Sequence, residues 1–413
     1  MTREQRGWWI LIGIGVVYTM GIAIDVAVRA ESTTDFRDFW ENAVHFRETG
    51  EIAADLGVHN YLPFFTIFVL PWGLLPLRVA SVAFVVLSLV LFAMTVALAE
   101  RLLNERARPG PRAAMLAALV LVIPYVHSCA VLGNMGLLIL FLIVTAWFLV
   151  EHGREWEAGL ALGLAALIKL LPALLIVFFL LKRRWRVAGT AAATMLVLGL
   201  GLPLATVGWE RTVSLHKDFY VRAVRDGSAV QTITSDQPTK ALYSNNSIPI
   251  VLRRLLSPVD GARRGEHPLY VDIVNLSRGT ILGIYVLLMA VFIGTTLFLT
   301  RPHSTSWPPD GIGAARALRA QFGSWCCLML LVSPLVWTHY LPLVYWPLAL
   351  LADRTERTYR SGARCRLSTV ALVLWLIAAL LLAWPAARAA GAPIAGVVVL
   401  WLALVALTRR APA

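Results

Sequence analysis

Apolar residues fall along this chain in long blocks, and polar residues gather in the short intervals between them. The blocks cover 8–28, 80–99, 113–130, 135–150, 157–169, 171–181, 188–207, 278–300, 320–336, 340–352, 368–384 and 393–408. A helix that crosses the hydrocarbon of a bilayer needs about 20 mostly apolar residues. The pattern therefore predicts an all-α, polytopic transmembrane helical bundle of about 12 spans. No soluble domain of ordinary size is left over, and residues 1–413 read as a single transmembrane domain. One further apolar stretch, 61–77, is interrupted by Pro63, Pro71 and Pro76, which a continuous helix does not tolerate.

Sidedness follows from the short-loop Arg and Lys clusters, which are retained on the cytoplasmic face. If 61–77 enters and leaves on one side, the clusters at 101–112, 182–186, 354–366 and 409–410 all become cytoplasmic. If it crosses fully, the first of them moves outside and the rule fails. Both termini are therefore expected inside, in a plasma (inner) membrane, with two polar segments, 29–60 and 208–277, on the outer face. The first is acidic, and Phe39, Ala43 and Phe46 recur in it at helical spacing. An amphipathic helix on the outer membrane surface is expected there, with Asp35 at its N-terminal end.

Composition agrees with a membrane solvent: 58% of residues are hydrophobic, 15% are charged, and the mean hydropathy is +0.71. The net charge of +13 raises the question of nucleic acid. Its confinement to clusters between apolar runs, with no basic stripe carrying interleaved aromatics, argues against such a partner. Cys129, Cys326, Cys327 and Cys365 lack metal-ligand spacing and read as core residues or free thiols. The run after Arg3 and Arg6 is too long for a signal-peptide core and reads as an uncleaved first span.

Against this background a few polar residues stand out. Lys169 lies between two apolar runs, where a lysine is costly unless functional; the bland alternative is snorkelling to the interface. His339, between Pro334 and Pro342 and beside Trp337 and Tyr340, is either an interface-belt histidine or a donor to an anion. Asp35 and Asp38, one helical turn apart with Arg37 between them, form a solvated acidic surface or a functional carboxylate pair. Asp35 also has an N-cap role open to it. Asn134 and the Asn245-Asn246-Ser247 run add polar positions at outer ends. No P-loop, nucleophile elbow, zinc-protease or dinucleotide fingerprint is present. Neither cofactor nor bound metal is expected.

The ordered set Asp35-Phe36-Arg37, Tyr61-Leu62-Pro63-Phe64-Phe65, Gly133-Asn134, Ala158-Gly159 through Lys169-Leu170-Leu171-Pro172 to the 182–186 cluster, Asn246-Ser247, and Ser333-Pro334 followed by Trp337-Thr338-His339 resembles glycosyltransferase family 87. The resemblance implies a GT-C-like fold and a polyprenyl-phosphate-sugar-dependent hexosyltransferase, mannosyltransferase-like, acting at the outer face. It implies a lipid-linked donor and a glycolipid or glycan acceptor. Asp35 best matches the catalytic aspartate, with Asp38 second. Lys169 and His339 suit the donor phosphate, and Arg37, Asn134 and Asn246 the substrate. The chain departs from the pattern at Asn134, Leu62 and Thr338. A rival reading is a transporter or lipid flippase without covalent chemistry; the absence of a repeat between the halves and the one-sided polar cluster weigh against it.

Overall fold

A computed structural model of the chain describes residues 3–32, 34–53, 61–104, 112–236, 241–263, 265–300, 311–362 and 366–409. Asp55, Cys365, Arg410 and most of the 101–112 cluster lie outside these. Among the described residues every regular element is helical, and the one β feature is an isolated antiparallel bridge, Asn245 to Trp337.

Each apolar block lies mostly in helix, the block 320–336 leaving it after Leu331. In order these are α1 (Arg3–Arg29), α2 (Asp35–Thr49), α3 (Phe64–Val69), α4 (Leu77–Leu103), α5 (Ala113–Leu132), α6 (Gly136–Glu151), α7 (Glu155–Ile168), α8 (Ala173–Leu181) and α9 (Trp185–Leu196). A wider turn, Val197–Gly201, carries α9 into α10 (Leu202–Val207), followed by α11 (Trp209–Phe219), α12 (Ala229–Thr234), α13 (Ile248–Leu256), α14 (Arg278–Leu299) and α15 (Ile312–Leu331). The last are α16 (Tyr345–Arg360), α17 (Arg366–Leu380), α18 (Pro385–Ala389) and α19 (Ala392–Arg409).

Among the described residues six helical stretches are long and apolar enough to cross a membrane: Trp9–Arg29, Leu77–Leu103, Ala113–Leu132, Trp185–Val207, Arg278–Leu299 and Arg366–Ala383. Only 11% of the apolar window of the first is buried within the protein, which suits a helix with lipid on most sides. The proline-broken stretch forms α3 and a tight 3₁₀ turn, Leu70–Leu74.

The chain folds as two compact units. The first contains Met1–Leu116, Tyr125–Ile176 and Arg184–Val224. Within it α7 packs on α9 through a Gly159-x-x-x-Gly163 face. A Cβ at Gly159 would lie 2.6 Å from Thr190 Cβ, and one at Gly163 would lie 2.7 Å from the Ala191 carbonyl oxygen. Small residues let two backbones approach where lipid gives no hydrophobic drive to associate. The pairing fixes α7, whose last turn delivers Lys169.

The second unit contains Ala117–Pro124, Val177–Arg183 and Arg225–Ala413. Three of its buried indoles tie helices together by hydrogen bonds: Trp325 Nε1 donates to Thr300 Oγ1 (2.7 Å), Trp401 Nε1 to Thr296 Oγ1 (2.9 Å) and Trp375 Nε1 to the Leu121 carbonyl (3.0 Å). In an apolar surround an unmade indole bond would cost its full desolvation.

Candidate functional site

The N-terminus of α2 sits on the turn between α5 and α6. Gly133 ends α5 at φ +64°, and a Cβ there would fall 2.4 Å from Phe36 Cβ. Glycine serves both needs, a left-handed backbone and room for Phe36. Thr34 is the N-cap of α2, its Oγ1 accepting from Arg37 N at 3.3 Å. Asp35 therefore opens the helix one position beyond the cap, and its carboxylate is engaged elsewhere: Asn134 Nδ2 donates to Asp35 Oδ2 at 2.6 Å. Asn134 is itself buried and held, its Oδ1 accepting from Gly136 N at 3.0 Å as α6 begins.

Lys169 follows the last turn of α7 in an extended conformation (φ −150°, ψ 129°). Its ammonium lies 5.7 Å from the centroid of the Tyr61 ring, and its charge acts on Asp35. Tyr61 stacks on Phe65 (4.0 Å) and meets Phe39 of α2 edge-on (5.3 Å). Burial pushes the Asp35 carboxyl above the ordinary carboxylate range, opposed by the Asn134 hydrogen bond and the Lys169 charge. Asp38 is also raised, by burial first and then by the charges of Asp35 and Glu41, with Arg37 opposing.

The first unit thus gathers Asp35, Asn134 and Lys169, with Asp38 a turn away. Arg37 is engaged by Glu41, Nε to Oε1 at 2.7 Å, and by the Glu31 carbonyl. Two cavities adjoin the cluster. One of about 200 Å³ is lined by Asp25, Arg29, Thr34, Phe36, Ser81 and Gly133 among others; a smaller one of about 30 Å³ is lined by Tyr61, Pro63, Thr66, Asp218 and Arg222. His216, near Asp218, bonds to the carbonyls of Thr212 (2.8 Å) and Gly199 (3.2 Å).

Asn246 and His339 belong to the second unit, where the structure brings their segments together. Asn246 N donates to the Val336 carbonyl at 2.6 Å, and Asn245 Oδ1 accepts from Val336 N (3.3 Å) and Ser247 N (3.1 Å). This bridge holds the residues leading to Thr338 and His339. His339 is half-buried, its ring 4.9 Å from that of Tyr340.

Sequence reasoning passed over Tyr61 as a site residue and over Arg222, Tyr243 and Arg388. A signal existed for the last: Arg388 stands alone between the apolar blocks of α17 and α19, apart from the basic clusters. Among the described residues no group of three or more His, Cys, Asp or Glu has the arrangement of a metal site.

A helical membrane protein that holds a half-buried carboxylate on an amide, within the influence of a lysine's charge, has parts that a group-transfer site can use. The family model of Glycosyltransferase family 87 matches residues 59–334, and the chain belongs to that family. Asp35 precedes the matched segment, Tyr61, Asn134, Lys169 and Asn246 lie within it, and His339 follows it.

Among named relatives, a polyprenol-phosphate-mannose-dependent alpha-(1-2)-phosphatidylinositol mannoside mannosyltransferase of Mycolicibacterium smegmatis is 26% identical over 304 residues, 70% of this chain and 59% of the relative. One of the same description from Mycobacterium tuberculosis is 27% identical over 300 residues, 65% of this chain and 69% of the relative. A pentamannoside mannosyltransferase of M. tuberculosis is 29% identical over 152 residues, 37% of this chain and 34% of the relative. The chain thus spans less than two thirds of the length of the first of these. No solved structure matches it.

Proposed function

We propose that this protein is a GT-C-like membrane glycosyltransferase of about 12 spans that transfers a hexosyl group, mannosyl by analogy with its relatives, from a polyprenyl-phosphate donor. The acceptor is a glycolipid or glycan; the named relatives act on phosphatidylinositol mannosides. The basic clusters support cytoplasmic termini and an outer-face site. The observation that carries the reading is the Asp35 carboxylate, half-buried, oriented by Asn134 and acted on by the Lys169 charge.

The chemistry is a single displacement. The acceptor hydroxyl oxygen forms a bond to the anomeric carbon as the bond from that carbon to the phosphate oxygen breaks. The hydroxyl proton passes to Asp35, and the electron pair of the broken bond leaves on the polyprenyl phosphate. General-base catalysis of this kind is worth about 10² to 10⁴ in rate. A carboxyl whose proton affinity is raised by burial is a better base than an ordinary one. Its ionised form is kept available by the Asn134 hydrogen bond and the Lys169 charge. Lys169 suits the charge that develops on the leaving phosphate, and we propose transfer without a metal ion. Backside attack inverts the anomeric centre.

The test is reconstitution of the purified protein in liposomes with polyprenyl-phosphate mannose and mycobacterial phosphatidylinositol mannosides. The proposal expects a mannosylated product together with free polyprenyl phosphate. Movement of lipid between leaflets with no sugar transferred would instead identify a flippase.

A further inference from the structure

The larger of the two cavities beside α2, about 200 Å³, has a lining that the proposed chemistry does not use. It lies within the first unit, where α1 and α5 end and α4 begins. About two turns earlier on α1, Tyr18 OH meets His127 Nδ1 of α5 at 3.4 Å, so the two helices are neighbours there. Val26, Val85, Val131 and Leu132 give the cavity an apolar floor, and Asp25, Arg29, Ser32 and Ser81 give it polar groups. Its volume equals the liquid share of about seven waters at about 30 Å³ each, which is room for one monosaccharide ring and not for two. Asp25 is the one acidic residue of the apolar stretch Trp9–Arg29, and a carboxylate so placed is costly unless it is paired or functional.

The balance of charge and of hydrogen-bonding capacity narrows what fits. Arg29 Nε meets Asp25 Oδ1 at 2.8 Å, and Glu31 beyond it pairs with Arg78 at 2.9 Å. The rim is thus electrically balanced, and an anionic headgroup would bring further acceptors to a carboxylate. The serines lean the same way. Ser81 Oγ donates to the Leu77 carbonyl at 2.8 Å and Ser32 Oγ to the Arg29 carbonyl, so each meets a ligand with lone pairs. A polyol supplies the donors that Asp25 and the serines accept and the acceptors that Arg29 seeks, while the C–H face of its ring suits the valines.

We propose that this cavity binds the uncharged polyol headgroup of a membrane lipid, with Asp25 and Arg29 as the pair that recognises its hydroxyls. The transferase reading bears only on the source of the polyol, which is either the acceptor glycolipid or a resident lipid of the same headgroup class. Phe36 and Gly133 also line the cavity, and they are the sequence neighbours of Asp35 and Asn134. A ring held there adjoins the turn that orients the proposed base.

The experiment measures binding of tritiated octyl mannoside to the purified full-length protein in nanodiscs by scintillation proximity, with octanol and octyl phosphate as competitors. Octyl mannoside is expected to bind saturably and to be displaced by neither competitor at equal concentration. Asp25→Asn removes the carboxylate and leaves Arg29 unbalanced. It is expected to weaken the mannoside about tenfold, the scale of one hydrogen bond to a charged group, and to make octyl phosphate a competitor. Val85, itself buried, lies in the floor, and Val85→Phe should abolish saturable binding with the polar groups untouched. Displacement of the mannoside by octyl phosphate from the wild-type protein, or wild-type affinity in both variants, would overturn the proposal. A raised acceptor KM with kcat retained in Val85→Phe would name the acceptor as the source, and an unchanged acceptor KM a resident lipid. Saturable mannoside binding by a protein that transfers no sugar would keep the site and remove the transferase reading; transfer without saturable mannoside binding would do the reverse.

Discussion

Asn134 and Asp35 are joined by a 2.6 Å hydrogen bond, amide to carboxylate, across 99 positions of chain. The bond couples the turn between α5 and α6 to the first residue of α2, and it opposes the effect of burial on the proton affinity of the proposed base. A donor to the ionised form lowers a carboxyl's pKa, and its loss raises it.

Burial already holds Asp35 above the ordinary range, so the acid limb of kcat/KM should lie above the usual carboxylate titration. Asn134→Ala removes one of the two opposing influences. The limb should then move to higher pH, with activity at neutral pH reduced. A pH profile of transfer in membranes measures this, and a limb that stays put or moves to lower pH would count against the role given to Asn134.

Gly133 is the position where the backbone leaves no alternative. With φ +64° and a Cβ site 2.4 Å from Phe36 Cβ, Gly133→Ala is expected to destabilise by more than about 1 kcal/mol and to lift Asp35 from Asn134. At Gly189 on α9 an added methyl would meet nothing within 4 Å, and Gly189→Ala should be neutral or stabilising by up to about 1 kcal/mol. Thermal unfolding in detergent, together with transfer activity, compares the two.

The α7–α9 contact supports Lys169 from a distance. Gly163→Val would place methyl groups against the Ala191 carbonyl oxygen and Thr194, an overpacking that costs about 1–3 kcal/mol. A shift of α7 displaces Lys169, so the loss should appear in donor KM before acceptor KM. The opposite order would separate α7 from donor recognition.

If Lys169 provides the charge at the leaving phosphate, chelation should not matter. Transfer assayed after dialysis against EDTA is expected to match the untreated protein. A loss restored by a divalent cation would assign that charge to a metal ion instead.

How far the sequence reaches can be judged at particular residues. The helices were legible because long apolar blocks mark segments removed from water, whether lipid or protein covers them, and α2 was legible from the spacing of Phe39 and Ala43, both buried. Its cap was not, because Thr34 and Asp35 are both good caps and only the long-range partner Asn134 takes Asp35 out of that role. Lys169 was visible as a charge in an apolar run. Its neighbour Tyr61 was hidden, since an aromatic at a membrane interface is ordinary. Asp25 and Ser81 line one cavity through a fold that no local pattern encodes.

The central claim is that Asp35 removes the proton from the acceptor hydroxyl. Its most direct test is Asp35→Asn, an isostere that keeps the fold and cannot act as that base, assayed in membranes with radiolabelled polyprenyl-phosphate mannose at matched protein levels. The account predicts a fall in kcat of about 10² to 10⁴ with donor binding retained; transfer at the wild-type rate by correctly inserted protein would contradict it.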